Sequence, residues 1–199
     1  MIKKFFIASK NSGKIKEIRS ILEGTGCELF SLLDTPHIPD IEETGSTFEE
    51  NAFLKAKAVF DIVKIPVLAD DSGLEVDFLN GAPGIYSARY SGPGANDDKN
   101  NQKLLAELED VEFSRRTARF RCVIAMYDGV SERSFAGTCE GHIITYKKGS
   151  NGFGYDPVFM PNGYNQTFAE LSEAVKNRIS HRARALNSLR DFLVLEQKM

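Results

Sequence analysis

The run Phe5-Phe6-Ile7-Ala8 passes through a polar loop into apolar residues at helical spacing, Ile15, Ile18, Ile21 and Leu22, with Gly24 as a stop. An unbroken apolar run suits a buried strand, whereas the second pattern suits a helix that buries one face. The opening therefore reads as strand, loop and helix. Ser46 and Thr47 then precede Glu49 and Glu50 as in a capping box, and Ala52, Ala56, Val59, Phe60 and Val63 share the face of a second helix. Lys55 lies near the edge of that face and Lys57 points further outward. Residues 66–69 predict a buried strand that ends in Asp70-Asp71-Ser72-Gly73.

A stretch rich in glycine and proline covers 81–94, and a polar helix is expected over about 97–108. Residues 117–127 and 134–146 read as strands joined through the turn pair Asp128-Gly129. Gly149, Gly152 and Gly154 open a second glycine loop, followed by a short strand over 157–160. From Ser180 onward, Leu186, Leu189, Phe192 and Leu193 mark a closing helix. With no repeat and no linker, this order implies one mixed α/β domain over 1–199 whose polar loops can converge on one cleft.

Composition narrows the function. Hydrophobic residues make up 42% and charged residues 27%, enough to build a core. A net charge of -3 argues against holding nucleic acid through the overall field, so any phosphate site is a local cluster. Cys27, Cys122 and Cys139 are widely spaced and odd in number, which fits reduced thiols in the cytoplasm. The apolar run after Lys3 and Lys4 is too short for a signal peptide, and nothing later reaches membrane-spanning length. A soluble, unprocessed protein is expected.

The loop Ser9-Lys10-Asn11-Ser12-Gly13-Lys14 joins a strand to a helix N-terminus, where backbone N–H groups and the helix dipole favour an anion. It is not a Walker A loop, since Ile15 stands where Ser or Thr should follow the lysine, and it also reads as an ordinary polar turn. Asp70 and Asp71 follow an apolar strand, where α/β proteins tend to place ligands, and Glu42 and Glu43 offer further hard oxygens for Mg²⁺. Adjacent acids can equally just end a strand or precede a helix. Lys176, Arg178, Arg182, Arg184 and Arg190 form a cationic island with no acid among them, around a helix start capped by Ser180. Phe153-Gly154-Tyr155-Asp156-Pro157 combines aromatic surface with a carboxylate, the parts needed to stack a base and accept from its ring N–H; packed glycine turns share that composition.

In order, these segments resemble the inosine/xanthosine triphosphate pyrophosphatase family, from Ile7 to about Leu186. The resemblance is carried by Ser9 to Lys14, Glu42-Glu43-Thr44-Gly45, Glu49-Glu50-Asn51-Ala52 with Lys55-Ala56, and Leu68-Ala69-Asp70-Asp71-Ser72-Gly73-Leu74. It continues in Gly81-Ala82-Pro83-Gly84-Ile85-Tyr86-Ser87-Ala88-Arg89-Tyr90, Gly152 to Pro157, and Lys176-Asn177-Arg178-Ile179-Ser180-His181-Arg182. It implies an elongated α/β fold of two lobes around a central mixed β-sheet, with a nucleotide cleft between the lobes, and a homodimer. It also implies Mg²⁺-dependent hydrolysis of deaminated purine nucleoside triphosphates to the monophosphate and pyrophosphate.

By motif position, Ser9, Asn11 and Lys14 would hold the triphosphate, within a loop that includes Lys10, Ser12 and Gly13. Glu42 and Asp71 would coordinate Mg²⁺ with Asp70 and Lys55 close by, and Asp71 would accept the proton. Ser72, Phe153, Gly154, Tyr155, Asp156, Lys176, His181 and Arg182 would contact nucleotide and base, with Arg182 donating to a purine 6-keto oxygen. Glu173-Ala174-Val175 departs from the more acidic or proline-containing stretch expected there. Residues 81–94 are expected to shape the cleft or the dimer contact. The rival readings are a nucleotide sensor without turnover, a phosphohydrolase of ordinary nucleotides, and an RNA-binding module.

Overall fold

The computed structural model describes residues 3–35, 38–39 and 41–196. Strands β1 (Lys4–Ile7), β2 (Glu28–Ser31), β3 (Val67–Val76), β4 (Thr117–Tyr127), β5 (Glu132–Ile143) and β6 (Phe159–Pro161) form one sheet in the order β2-β1-β3-β4-β5-β6. The sheet is mixed: β1 pairs in parallel with β2 and β3, with Phe6 opposite Phe30 and Val67, while β5 pairs antiparallel with β6. Helices α1 (Ser12–Leu22), α2 (Phe48–Val63), α3 (Asp97–Glu107), α4 (Glu173–Ile179) and α5 (His181–Glu196) complete the fold. Among the described residues, no helix is long and apolar enough to cross a membrane.

The chain packs as two compact units, one of Met1–Asp71, Cys122–Gly137 and Arg182–Met199, the other of Ser72–Arg121 and Thr138–His181. In the first, Ile15, Ile18, Ile21 and Leu22 of α1 pack with Ile7, Leu68, Ile124 and the α5 residues Leu186, Leu189 and Leu193. In the second, Leu74, Val76, Leu104, Phe120, Ile143, Phe159 and Phe168 form a separate core. The boundaries fall inside β3, β4 and β5 and at the start of α5.

Several expectations are corrected. The strand expected to stop at Asp70 runs on to Val76, because Leu74 and Val76 are fully buried and keep the chain extended in the core. Asp70 and Asp71 are thus mid-strand and point to opposite faces. Helix α1 begins at Ser12, with Asn11 as its cap accepting from Lys14 N at 3.0 Å. Ser180 ends α4, a short helix absent from the sequence reading, and α5 follows at once.

Candidate active site

β3 delivers two acids to two different environments within the first unit. The Asp70 carboxylate receives Lys14 Nζ from α1 and Arg182 Nε from α5, the latter at 2.8 Å, and the Cys122 thiol donates to it at 3.1 Å. Arg182 in turn pairs through Nη1 with Glu17 of α1. All these groups except Lys14 are nearly excluded from water, and the Lys14 side chain keeps 19% exposure. Burial would raise the Asp70 pKa, but Arg182 and Lys14 overcome it and hold the carboxyl well below its usual range. Burial also pushes the Cys122 thiol well up, with the Asp70 charge adding to it, so Cys122 stays protonated.

Asp71 is less well compensated. Lys55 Nζ reaches its Oδ1 at 3.1 Å, yet the same ammonium also donates to Glu43 at 2.7 Å and to the Asp70 carbonyl at 2.7 Å. The other carboxylate oxygen, Asp71 Oδ2, is buried without a hydrogen-bond partner. Burial raises the Asp71 pKa, Lys55 opposes the rise, and the Glu43 charge adds to it; the net shift is upward. For Lys55, burial works against the charge, but Asp71 and Glu43 prevail and raise its pKa.

Glu43 reaches Lys55 because its loop is pinned: Gly45 N donates to Asn51 Oδ1 at 2.8 Å. A Cβ on Gly45 would lie 2.7 Å from that oxygen and 2.8 Å from Glu50 Cβ, so only glycine fits. Glu42, its neighbour, is exposed. Of the N-terminal loop, Lys10, Asn11 and Ser12 are exposed, Ser9 and Gly13 half-buried, and Ser9 Oγ accepts from Asn11 N at 3.1 Å.

The second unit gathers a different set. Lys176 Nζ donates to Asp156 Oδ2 at 2.6 Å and lies 4.7 Å from the centre of the Phe153 ring. Asp156 Oδ2 also accepts from Phe153 N at 2.9 Å, and Gly152 leaves no room for a Cβ beside it. The His181 ring stacks on Phe120 with centroids 4.6 Å apart, Tyr155 donates to the Ser87 carbonyl at 2.8 Å, and Ser72 is half-buried in β3. Arg182, expected to face a purine, is 2% exposed and turned to Glu17 and Asp70. The sequence reading missed Glu17, Cys122 and Asn51. Glu17 carried a signal: it is an acid on the buried face of α1, between Ile15 and Ile18.

A mixed α/β fold that sets lysines and buried carboxylates beside a strand-loop-helix turn defines a protein built to handle charged groups. The chain belongs to the Ham1 family, whose pattern matches residues 5–192. It is 51% identical over 193 residues to the dITP/XTP pyrophosphatase of Halalkalibacterium halodurans, covering 96% of this chain and 100% of that one. A HAM1 protein from Coxiella burnetii superposes with a TM-score of 0.89 at 41% identity, covering 98% of this chain and 100% of its own. The Staphylococcus aureus Ham1 protein gives 0.86 at 44% identity, covering 99% and 100%.

Proposed function

We propose that the protein hydrolyses deaminated purine nucleoside triphosphates, those of inosine, deoxyinosine and xanthosine, between the α and β phosphates, releasing the monophosphate and pyrophosphate. The named activity of its 51%-identical relative supports the reaction class. The observation that carries the site is the buried Asp71 Oδ2 with no partner, beside a lysine shared between two carboxylates. Such an oxygen is costly unless a cation or a donor completes it.

That environment fits Mg²⁺, which would neutralise phosphate charge when bound. Asp71 would hold it with Glu42, whose carboxylate is exposed while Glu43 is taken by Lys55. Lys14, at the open end of the Asp70 cluster, would exchange Asp70 for phosphate oxygens, with Ser9 to Gly13 offering their N–H groups. Asp71 would orient the attacking water and accept its proton. Lys55 keeps Asp71 in place. In the second unit the Phe153 ring would stack on the base, with Gly154, Tyr155, Asp156, Lys176 and His181 shaping that pocket and Ser72 contacting the nucleotide. Arg182 would act through Asp70. We further assign the chain to one domain with two lobes, working as a homodimer in the cytoplasm, where its free cysteines would stay reduced.

The test is pyrophosphate release across a panel of nucleoside triphosphates, with and without Mg²⁺. The expected result is metal-dependent release from inosine and xanthosine triphosphates far above ATP and GTP. Equal or greater release from ordinary nucleotides, or binding without release, would overturn it.

A further inference from the structure

Helix α3 is polar, and nothing in the proposed chemistry uses it. Its N-terminal end nevertheless holds one residue of the aromatic loop, Gly154, at both of its flanking peptide groups. Gly154 N donates to Asp97 Oδ2 at 2.7 Å, and the Gly154 carbonyl accepts from Asn101 Nδ2 at 2.8 Å. Asp97 and Asn101 are one helical turn apart and so share a face. Asn101 Nδ2 also donates to the Asp97 carbonyl at 2.7 Å.

Gly154 has a φ of 61° and no atom within 4 Å of where a Cβ would lie. Backbone conformation, rather than space, calls for the glycine there, and a residue so free needs external restraint to stay in one conformation. Asn101 is 2% exposed, its bond to the half-buried Gly154 is partly shielded from water, and its Oδ1 has no hydrogen-bond partner. A leucine in that place would avoid the cost of an unsatisfied oxygen.

We infer that Asn101, assisted by Asp97, is a positioning residue that sets base specificity by fixing the two peptide groups that flank Gly154 and with them the adjoining Phe153. This rests on the reading that the Phe153 to Asp156 loop receives the purine. Asp97 is exposed and contributes less than Asn101. Asn100, next along the helix, holds the turn of 84–91 instead, donating to the Ser87 and Ala88 carbonyls at 3.3 and 3.2 Å.

The experiment compares Asn101→Ala, Asp97→Ala and Asp97→Asn with the wild type. It measures kcat and KM for inosine triphosphate and ATP, calorimetric affinity for inosine monophosphate, and melting temperature. Asn101→Ala is expected to raise KM for inosine triphosphate and cut its preference over ATP by on the order of 10-fold, with kcat changed less. Affinity for inosine monophosphate falls in parallel. Asp97→Ala does the same more weakly, and Asp97→Asn, which keeps an acceptor for Gly154 N, restores it. Wild-type KM and preference in a folded Asn101→Ala protein, or a loss of kcat alone shared by both nucleotides, overturns the inference. A wild type that neither hydrolyses nor binds the inosine nucleotides fails the underlying reading and the inference with it.

Discussion

Asp70 and Asp71 are neighbours in one strand, yet their two faces of β3 are built on opposite principles. On the Asp70 face, Lys14 and Arg182 meet Asp70 and Glu17, so two cations face two anions. On the Asp71 face, Lys55 is shared between Asp71 and Glu43, and Asp71 keeps a buried oxygen without a hydrogen-bond partner. A closed set of charges, with its carboxylate pKa driven down, is a structural device. An open set, with a shared cation, an unpartnered buried oxygen and a raised carboxyl pKa, has the features of a functional site.

The two faces separate most widely when the acid of one and the buried cation of the other are removed. Asp71→Asn is expected to lower turnover by about 10²–10⁴-fold, the range a positioned base contributes, in a protein that still folds. Near-normal release of pyrophosphate by that variant would move the chemistry elsewhere. On the other face, Arg182→Ala leaves Asp70 and Glu17 without their shared buried partner. It is expected to cost about 3–5 kcal/mol of stability, read as a lower denaturant midpoint. An unchanged midpoint would mean that Arg182 is not the keystone of a closed cluster.

A smaller effect tests the open face. Gly45→Ala places a Cβ 2.7 Å from Asn51 Oδ1 and must shift the loop that carries Glu43. Overpacking of this kind costs about 1–3 kcal/mol. If Glu43 is drawn from Lys55, the Mg²⁺ dependence proposed for pyrophosphate release should change with it. Stability lost with no change in metal dependence would leave Glu43 outside the site.

Local patterns in the chain announce most of the elements. The apolar spacing of Ile15, Ile18, Ile21 and Leu22 marks α1, and the β4 boundaries, Thr117–Tyr127, agree with the strand expected there. Strand β2 escaped because Glu28-Leu29-Phe30-Ser31 is short and half-exposed at the sheet edge. Helix α4 escaped because its seven residues carry little apolar periodicity. The end of β3 was misplaced because two adjacent acids look like a strand exit to any local reading. What satisfies them comes from far along the chain: Arg182 lies 112 residues from Asp70 and 165 from Glu17. The same distance hides that Arg182, the most buried member of the cationic island, pairs with Glu17 and Asp70. Asn101 left no such trace, since an asparagine in a polar helix looks solvated until Gly154 is seen beside it.

The smallest effect separates the two acids most cleanly, and it is one of stability. The Asp71 pKa in the folded chain is raised, chiefly by burial, so ionising it disfavours the folded state. That cost is fully present above the raised folded value and absent below the ordinary carboxylate pKa of about 3.9. Replacing Asp71 by Asn removes the cost, while Lys55 keeps Glu43 as its partner. In metal-free buffer Asp71→Asn is therefore expected to melt a few degrees above the wild type at pH 8, and the gap should close as the pH falls towards 4. Asp70 has the opposite sign. Its lowered pKa contributes stability above the ordinary value that is lost as the pH falls through the folded one, so Asp70→Asn should melt below the wild type at pH 8. If Asp71 holds the metal as proposed, adding Mg²⁺ should raise the melting temperature of the wild type more than that of Asp71→Asn, whose amide oxygen carries no charge. A metal-free Asp71→Asn protein that melts lower than the wild type at pH 8, or a gap that ignores pH, would show that the Asp71 carboxylate is already compensated and that the two faces of β3 are alike.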